Sequence, residues 1–149
     1  MDELNDLYQE IILSHNKRPR NDGALDPCSH KADGFNPLCG DKLTVFLRKP
    51  GENIDEITCQ TEGCAISRAS GSIMTTMIKG KTSQEVEDII AGIKELLSGE
   101  EEPKVDLATQ GDLAALIGVR KFPARVKCAT LAWHALESAL RGDDSTSTE

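Results

Sequence analysis

With 149 residues and 38% hydrophobic content, the chain is sized for one domain with a modest core. Its 25 acidic against 17 basic residues give a net charge of -8, which argues against nucleic acid as the main partner, because neutralising phosphate needs a basic surface. No run approaches the ~18 apolar residues of a membrane span, and Met1-Asp2-Glu3-Leu4 lacks the basic and apolar regions of a signal peptide, so a cytoplasmic setting without membrane contact is expected.

Leu4, Leu7, Tyr8, Ile11 and Ile12 recur at helical spacing, with acidic residues in the first turn, and predict a helix over residues 2–16. The basic run Lys17-Arg18-Pro19-Arg20 ends it and reads as a solvated face. Residues 21–37 are interrupted by Gly23, Pro27 and Gly34 and are expected to be loop. Leu43 to Arg48 reads as a strand, Pro50-Gly51 as a turn, and Ile54 to Thr61 as the returning strand of a hairpin. A third short strand is expected just before Cys64.

Helical periodicity resumes after Cys64, through Ala69, Ile73, Met74 and Met77, up to Gly80. The small residues Ser67, Ala69, Ser70, Gly71 and Ser72 in its first half suit close packing against a neighbour. Thr82-Ser83-Gln84-Glu85 is a capping box opening a helix with a stripe of Val86, Ile89, Ile90, Ile93, Leu96 and Leu97, ended by Gly99. A charged break at residues 100–103 precedes a short helix over residues 112–117. Phe122-Pro123 opens the last helix, with Val126, Ala129, Trp133, Leu136 and Leu140 on its buried side and Gly142 at its end. The fold class is thus α+β: a small antiparallel sheet of about three strands packed against about five helices. Residues 1–142 form the single domain, and residues 143–149 are expected to be a disordered polar tail.

The five cysteines, Cys28, Cys39, Cys59, Cys64 and Cys128, are an odd number, which in a reducing compartment points to metal or thiol chemistry rather than disulfides. Cys39-Gly40-Asp41 sets two deprotonatable ligands two residues apart, with a glycine between them to let the backbone bend. Cys64 falls at a sheet-to-helix junction, where the helix dipole favours thiolate. Cys128 lies roughly 120° from the centre of the last helix's apolar stripe, counting about 100° per residue, and so is expected to face a site at the surface.

Cys39, Asp41, Cys64 and Cys128 make the four ligands of a tetrahedral zinc ion; an iron–sulfur cluster on the three thiols is the alternative. Such a zinc site carries excess negative charge, which Arg125, Lys127 or Lys42 could offset. Cys59 reads as a buried strand residue, and Cys28 with His30 as an exposed loop pair rather than ligands. His15 and His134 read as structural or solvent-facing.

Asn36-Pro37-Leu38-Cys39-Gly40-Asp41, Glu62-Gly63-Cys64-Ala65-Ile66-Ser67 and the stretch from Lys121 to Trp133 resemble the three motifs of the SufU branch of the IscU/NifU-N-terminal family. The family's iron–sulfur scaffold branch has His immediately before the third cysteine, where this chain has Lys127, and a shorter connection between the second and third cysteines. Both departures resemble SufU. The resemblance implies zinc-dependent sulfur transfer. A SufS-type, pyridoxal-phosphate-dependent cysteine desulfurase would deliver persulfide sulfur to Cys39. Asp41, Cys64 and Cys128 would keep the zinc, and Arg125, with Lys127 beside it, would support the transfer. The sulfur would pass on to the Suf scaffold machinery. Assembly of a [2Fe–2S] cluster on Cys39, Cys64 and Cys128 is the alternative within the same family.

Overall fold

A computed structural model describes residues 3–98, 111–142 and 145–147. The elements in chain order are α1 (Glu3–Lys17), β1 (His30–Asn36), β2 (Asp41–Arg48), β3 (Glu56–Glu62), α2 (Ala65–Ile78), α3 (Ser83–Ser98), α4 (Leu113–Ile117), a 3-10 turn (Gly118–Lys121), α5 (Pro123–Arg141) and β4 (Ser145–Ser147). The sheet order is β3-β2-β1-β4. The first three strands form an antiparallel meander, and β4 joins the β1 edge in parallel.

Side-chain parity decides what each strand offers to the helices, because successive residues point to opposite faces. On β2 the inward set is Asp41, Leu43, Val45 and Leu47, all buried. On β1 it is Ala32, Gly34 and Asn36, and on β3 it is Ile57 and Cys59. Helices α2 and α5 cover this face, α1 packs on α2, and α3 packs on α5. Gly34 lets α5 approach β1 closely: a Cβ there would lie 3.1 Å from Leu131 and 3.3 Å from Ala135 of α5.

The small-residue half of α2 serves the expected packing. Gly71 sits against Cys59 of β3, Ser67 and Ser70 donate to the carbonyls of Cys128 and Ala129 on α5 at 3.3 and 2.5 Å, and Trp133 Nε1 donates to Ser70 Oγ at 3.1 Å. The capping box closes reciprocally, Thr82 N–H to Glu85 at 3.0 Å and Glu85 N–H to Thr82 Oγ1 at 3.2 Å. His15 is structural: 1% exposed, it ties α1 to Ser72 Oγ of α2 and to Asp112 Oδ2 before α4, both at 2.7 Å.

Three sequence expectations are corrected. Residues 21–37 are not all loop, since His30–Asn36 is β1; its charged alternation and internal glycine hide a strand that exists by pairing with β2 along its whole length. The third antiparallel strand therefore lies ahead of Cys39 rather than next to Cys64. Within the expected polar tail, Ser145–Ser147 pairs with Asp33–Phe35, which occupies backbone groups that β1 would otherwise leave open as a sheet edge. The expected cap at Gly99, the break at residues 100–103 and the rest of the tail lie outside the described residues. Among the described residues no helix is long and apolar enough to cross a membrane.

Candidate metal centre

The β1–β2 hairpin builds the centre. Asn36 and Asp41 face each other across the last pair of the ladder, leaving Pro37 to Gly40 as a four-residue turn. The Gly40 N–H closes it onto the Asn36 carbonyl at 2.8 Å, with Gly40 at φ 74°, a left-handed conformation that glycine adopts without penalty. Strand parity then sends Asp41 inward, where it is fully buried, while Cys39 stays exposed on the turn.

Cys128 is carried in by α5. The Sγ atoms of Cys39 and Cys128 and one Asp41 carboxylate oxygen all lie within 4.8 Å of one another, and the two sulfurs are 3.4 Å apart. Cys64 is the N-cap residue of α2. Its N–H donates to Asp41 Oδ1 at 2.9 Å. Its half-buried thiol hydrogen-bonds Cys128 yet stands outside the tight group of three. A tetrahedron of thiolates around a metal has ligand–ligand edges of about 3.8 Å, so the Cys39–Asp41–Cys128 spacing fits a metal ion, with Cys64 next to the group.

Burial pushes the Cys128 thiol well above the ordinary cysteine range, reinforced by hydrogen bonds to Asp41 and Cys39 and by the Cys64 charge. A bound cation reverses that preference, because a coordinating thiol is deprotonated. The Arg125 guanidinium hydrogen-bonds Cys128 and feels the charges of Cys64, Cys128 and Cys39, which raise its pKa; it is exposed, so water screens its charge and burial governs Cys128.

Two placements, those of Cys128 and Lys42, differ from the sequence reading. Cys128 is 0% exposed, so it forms the floor of the site rather than an accessible flank. The reason is that α5 is packed by α2, α3 and the sheet, which widens its buried band to every residue from Cys128 to Trp133. Lys42 points to the outer face of the sheet, opposite to Asp41, and supplies no charge to the site. Lys127 is exposed, and its described hydrogen bond is its carbonyl accepting from Thr130 at 3.5 Å. Cys28 and His30 join no group of three candidate ligands among the described residues; His30 Nδ1 pairs with Ser29 Oγ at 2.9 Å. Cys59 is a core residue, 4% exposed, with its pKa raised to about 11 by burial.

Two residues matter here that sequence reasoning left without a role. Asn36 is fully buried and donates from Nδ2 to Asp41 Oδ2 at 3.2 Å and to Cys128 Sγ at 3.5 Å. Gly63 lies so close that any Cβ would collide with the Asp41 carboxylate. The signal for both was their place in the motifs; without β1 recognised as a strand, the inward parity of Asn36 was not readable.

Residues 7–140 match the NifU-like N terminal domain family. The chain is 40% identical over 142 residues to the zinc-dependent sulfurtransferase SufU of Bacillus subtilis, covering 95% of this chain and 94% of that one. It is 36% identical over 141 residues to the iron–sulfur cluster assembly scaffold protein IscU of Streptococcus pyogenes, covering 95% and 87%. The crystal structure of a Fervidobacterium islandicum iron–sulfur cluster assembly scaffold protein for the SUF system superposes with a TM-score of 0.80 at 32% identity, covering 91% of this chain and 98% of that one. A likeness that extends from α1 to the end of α5, in sequence and in backbone alike, makes this chain a member of the NifU-like N-terminal domain family.

Proposed function

We propose that the protein is a zinc-dependent sulfur acceptor that works in the cytoplasm, with Cys39, Asp41, Cys64 and Cys128 as the zinc ligands. Zinc suits the donor set and, having no redox chemistry, keeps the thiols deprotonated without oxidising them. The observation that carries the reading is the asymmetry of the group: Asp41 and Cys128 are fully buried, while Cys39 stands exposed on a glycine-hinged turn. Such a ligand can leave the site and meet a partner without unfolding it.

The chemistry is a redox-neutral exchange. The Cys39 thiolate attacks the terminal sulfur of a persulfide on a SufS-type cysteine desulfurase. A new S–S bond forms on Cys39, the old S–S bond breaks, and the desulfurase cysteine departs as thiolate. Arg125, exposed beside the thiols, offers charge to the incoming persulfide, with Lys127 two residues further on. The sulfur then passes to the Suf scaffold machinery for cluster assembly.

The test combines metal analysis with desulfurase turnover. The expected results are about one zinc per chain, faster alanine release by the desulfurase, and Cys39 gaining the mass of one sulfur atom, with acceleration and mass shift lost in Cys39→Ala. A protein that purifies without zinc, carries a [2Fe–2S] cluster and leaves the desulfurase rate unchanged would overturn the reading.

A further inference from the structure

Asn36 is the one buried amide at the centre, and its environment is lopsided. Its Nδ2 is committed twice, to Asp41 Oδ2 at 3.2 Å and to Cys128 Sγ at 3.5 Å. Its Oδ1 is buried with no hydrogen-bond partner among the described residues. The opposite amide orientation would set Oδ1 against the Asp41 carboxylate and strand the NH2 group, so the chemistry fixes the orientation. A buried polar group left half-satisfied is unfavourable, which points to a demand on the other half.

That demand is visible in how the ligands are held. Asp41 is held at both oxygens, Oδ1 by the Cys64 N–H and Oδ2 by Asn36. Cys128 is held by the Asn36 amide and lies fully buried on α5. Cys39 receives no bond from Asn36, and its described side-chain contact within the group is Cys128 itself.

We infer that Asn36 is a positioning residue that narrows which ligand leaves: by anchoring Asp41 and Cys128 it confines release to the thiols it does not hold, Cys39 and Cys64, of which Cys39 is the exposed one. This inference rests on the zinc-centre reading above. Partners of metal ligands of this kind typically change metal affinity 10- to 100-fold when removed.

The test measures zinc affinity of the full chain by competition with a chromophoric chelator. It is run for Asn36→Leu, which removes the amide at similar volume, and for Asn36→Asp, which keeps the shape and loses the NH2 donor. Both are expected to bind zinc roughly 10- to 100-fold more weakly than the parent. The loss from Asn36→Leu should persist undiminished in a Cys39→Ala background and shrink in an Asp41→Ala background, whereas a merely structural asparagine would cost the same in both. Equal losses in the two backgrounds, or parent-like affinity in Asn36→Asp, would overturn the inference while leaving the zinc centre standing. A parent chain that binds no zinc would overturn both.

Discussion

Gly63→Ala tests how tightly the centre is built. A Cβ at Gly63 would collide with Asp41 Oδ1 and sit 3.0 Å from both Asp41 Cβ and Cγ. The cost is both steric and conformational, because φ 158° is a backbone angle that residues with a side chain rarely adopt. Asp41 has nowhere to yield: it is fully buried and held at Oδ1 by the Cys64 N–H at 2.9 Å and at Oδ2 by Asn36 at 3.2 Å. Alanine therefore drives the carboxylate off the Cys64 N–H. A hydrogen bond to a charged group is worth about 1.5–3 kcal/mol, and about 1.4 kcal/mol is tenfold in a binding constant. With zinc as the metal, affinity should fall roughly 10- to 100-fold, within the range expected for loss of a ligand's hydrogen-bond partner. The assay is competition against a chromophoric chelator, with circular dichroism to verify folding and Gly51→Ala as control, since a Cβ there meets nothing within 4 Å. A Gly63→Ala protein binding zinc within about twofold of the parent, against the tenfold or more expected from the lost bond, would refute the claim that Asp41 is immobile.

Further outcomes follow from the scaffold. Gly71→Ala would place a Cβ 2.9 Å from Cys59 Sγ, so α2 must shift off β3 and urea unfolding should report a loss of about 1–3 kcal/mol; unchanged stability would mean that the helix slides freely. Trp133→Phe removes the bond to Ser70 Oγ and part of a fully buried side chain, and should cost about 1–3 kcal/mol on chemical denaturation. Thr82→Ala breaks the capping box and should lower stability by about 1 kcal/mol in the same measurement. Cys59, with its pKa raised from 9.0 to about 11 chiefly by burial, should resist iodoacetamide in the native protein at pH 8 while exposed Cys39 reacts, followed by peptide mass spectrometry; equal labelling rates would contradict its burial. Because the folded value lies above the unfolded one, the associated stability is fully present below pH 9 and is lost as pH rises through about 11. Cys59→Ala should flatten that alkaline decline.

The sequence was most legible where order is local. The capping box, the apolar stripe of α3, the proline opening α5, the glycine closing it in a left-handed conformation, and the β2–β3 hairpin all follow from residues within a few positions of one another. The motif residues around Cys39, Cys64 and Cys128 named the chemical groups for the same reason: ligand type and the Cys39–Asp41 spacing are written in the chain.

What the sequence left undecided depends on partners distant along it. Strand β1 carries His30, Lys31, Asp33 and a glycine, and becomes a strand because β2 pairs along it and α5 presses on Gly34. That pairing sets the parity of Asn36, and with it the contact to Asp41 and Cys128. Helical phase taken on α5 alone left Cys128 at an accessible edge, whereas packing on several sides of the helix seals it. Lys42 is next to Asp41 in the chain yet on the opposite face of the sheet, since adjacent strand residues point apart. The sequence by itself determined which groups the centre contains; the tertiary structure decided which are buried and anchored and which stands exposed, because burial and hydrogen-bond anchoring are properties of the packed fold.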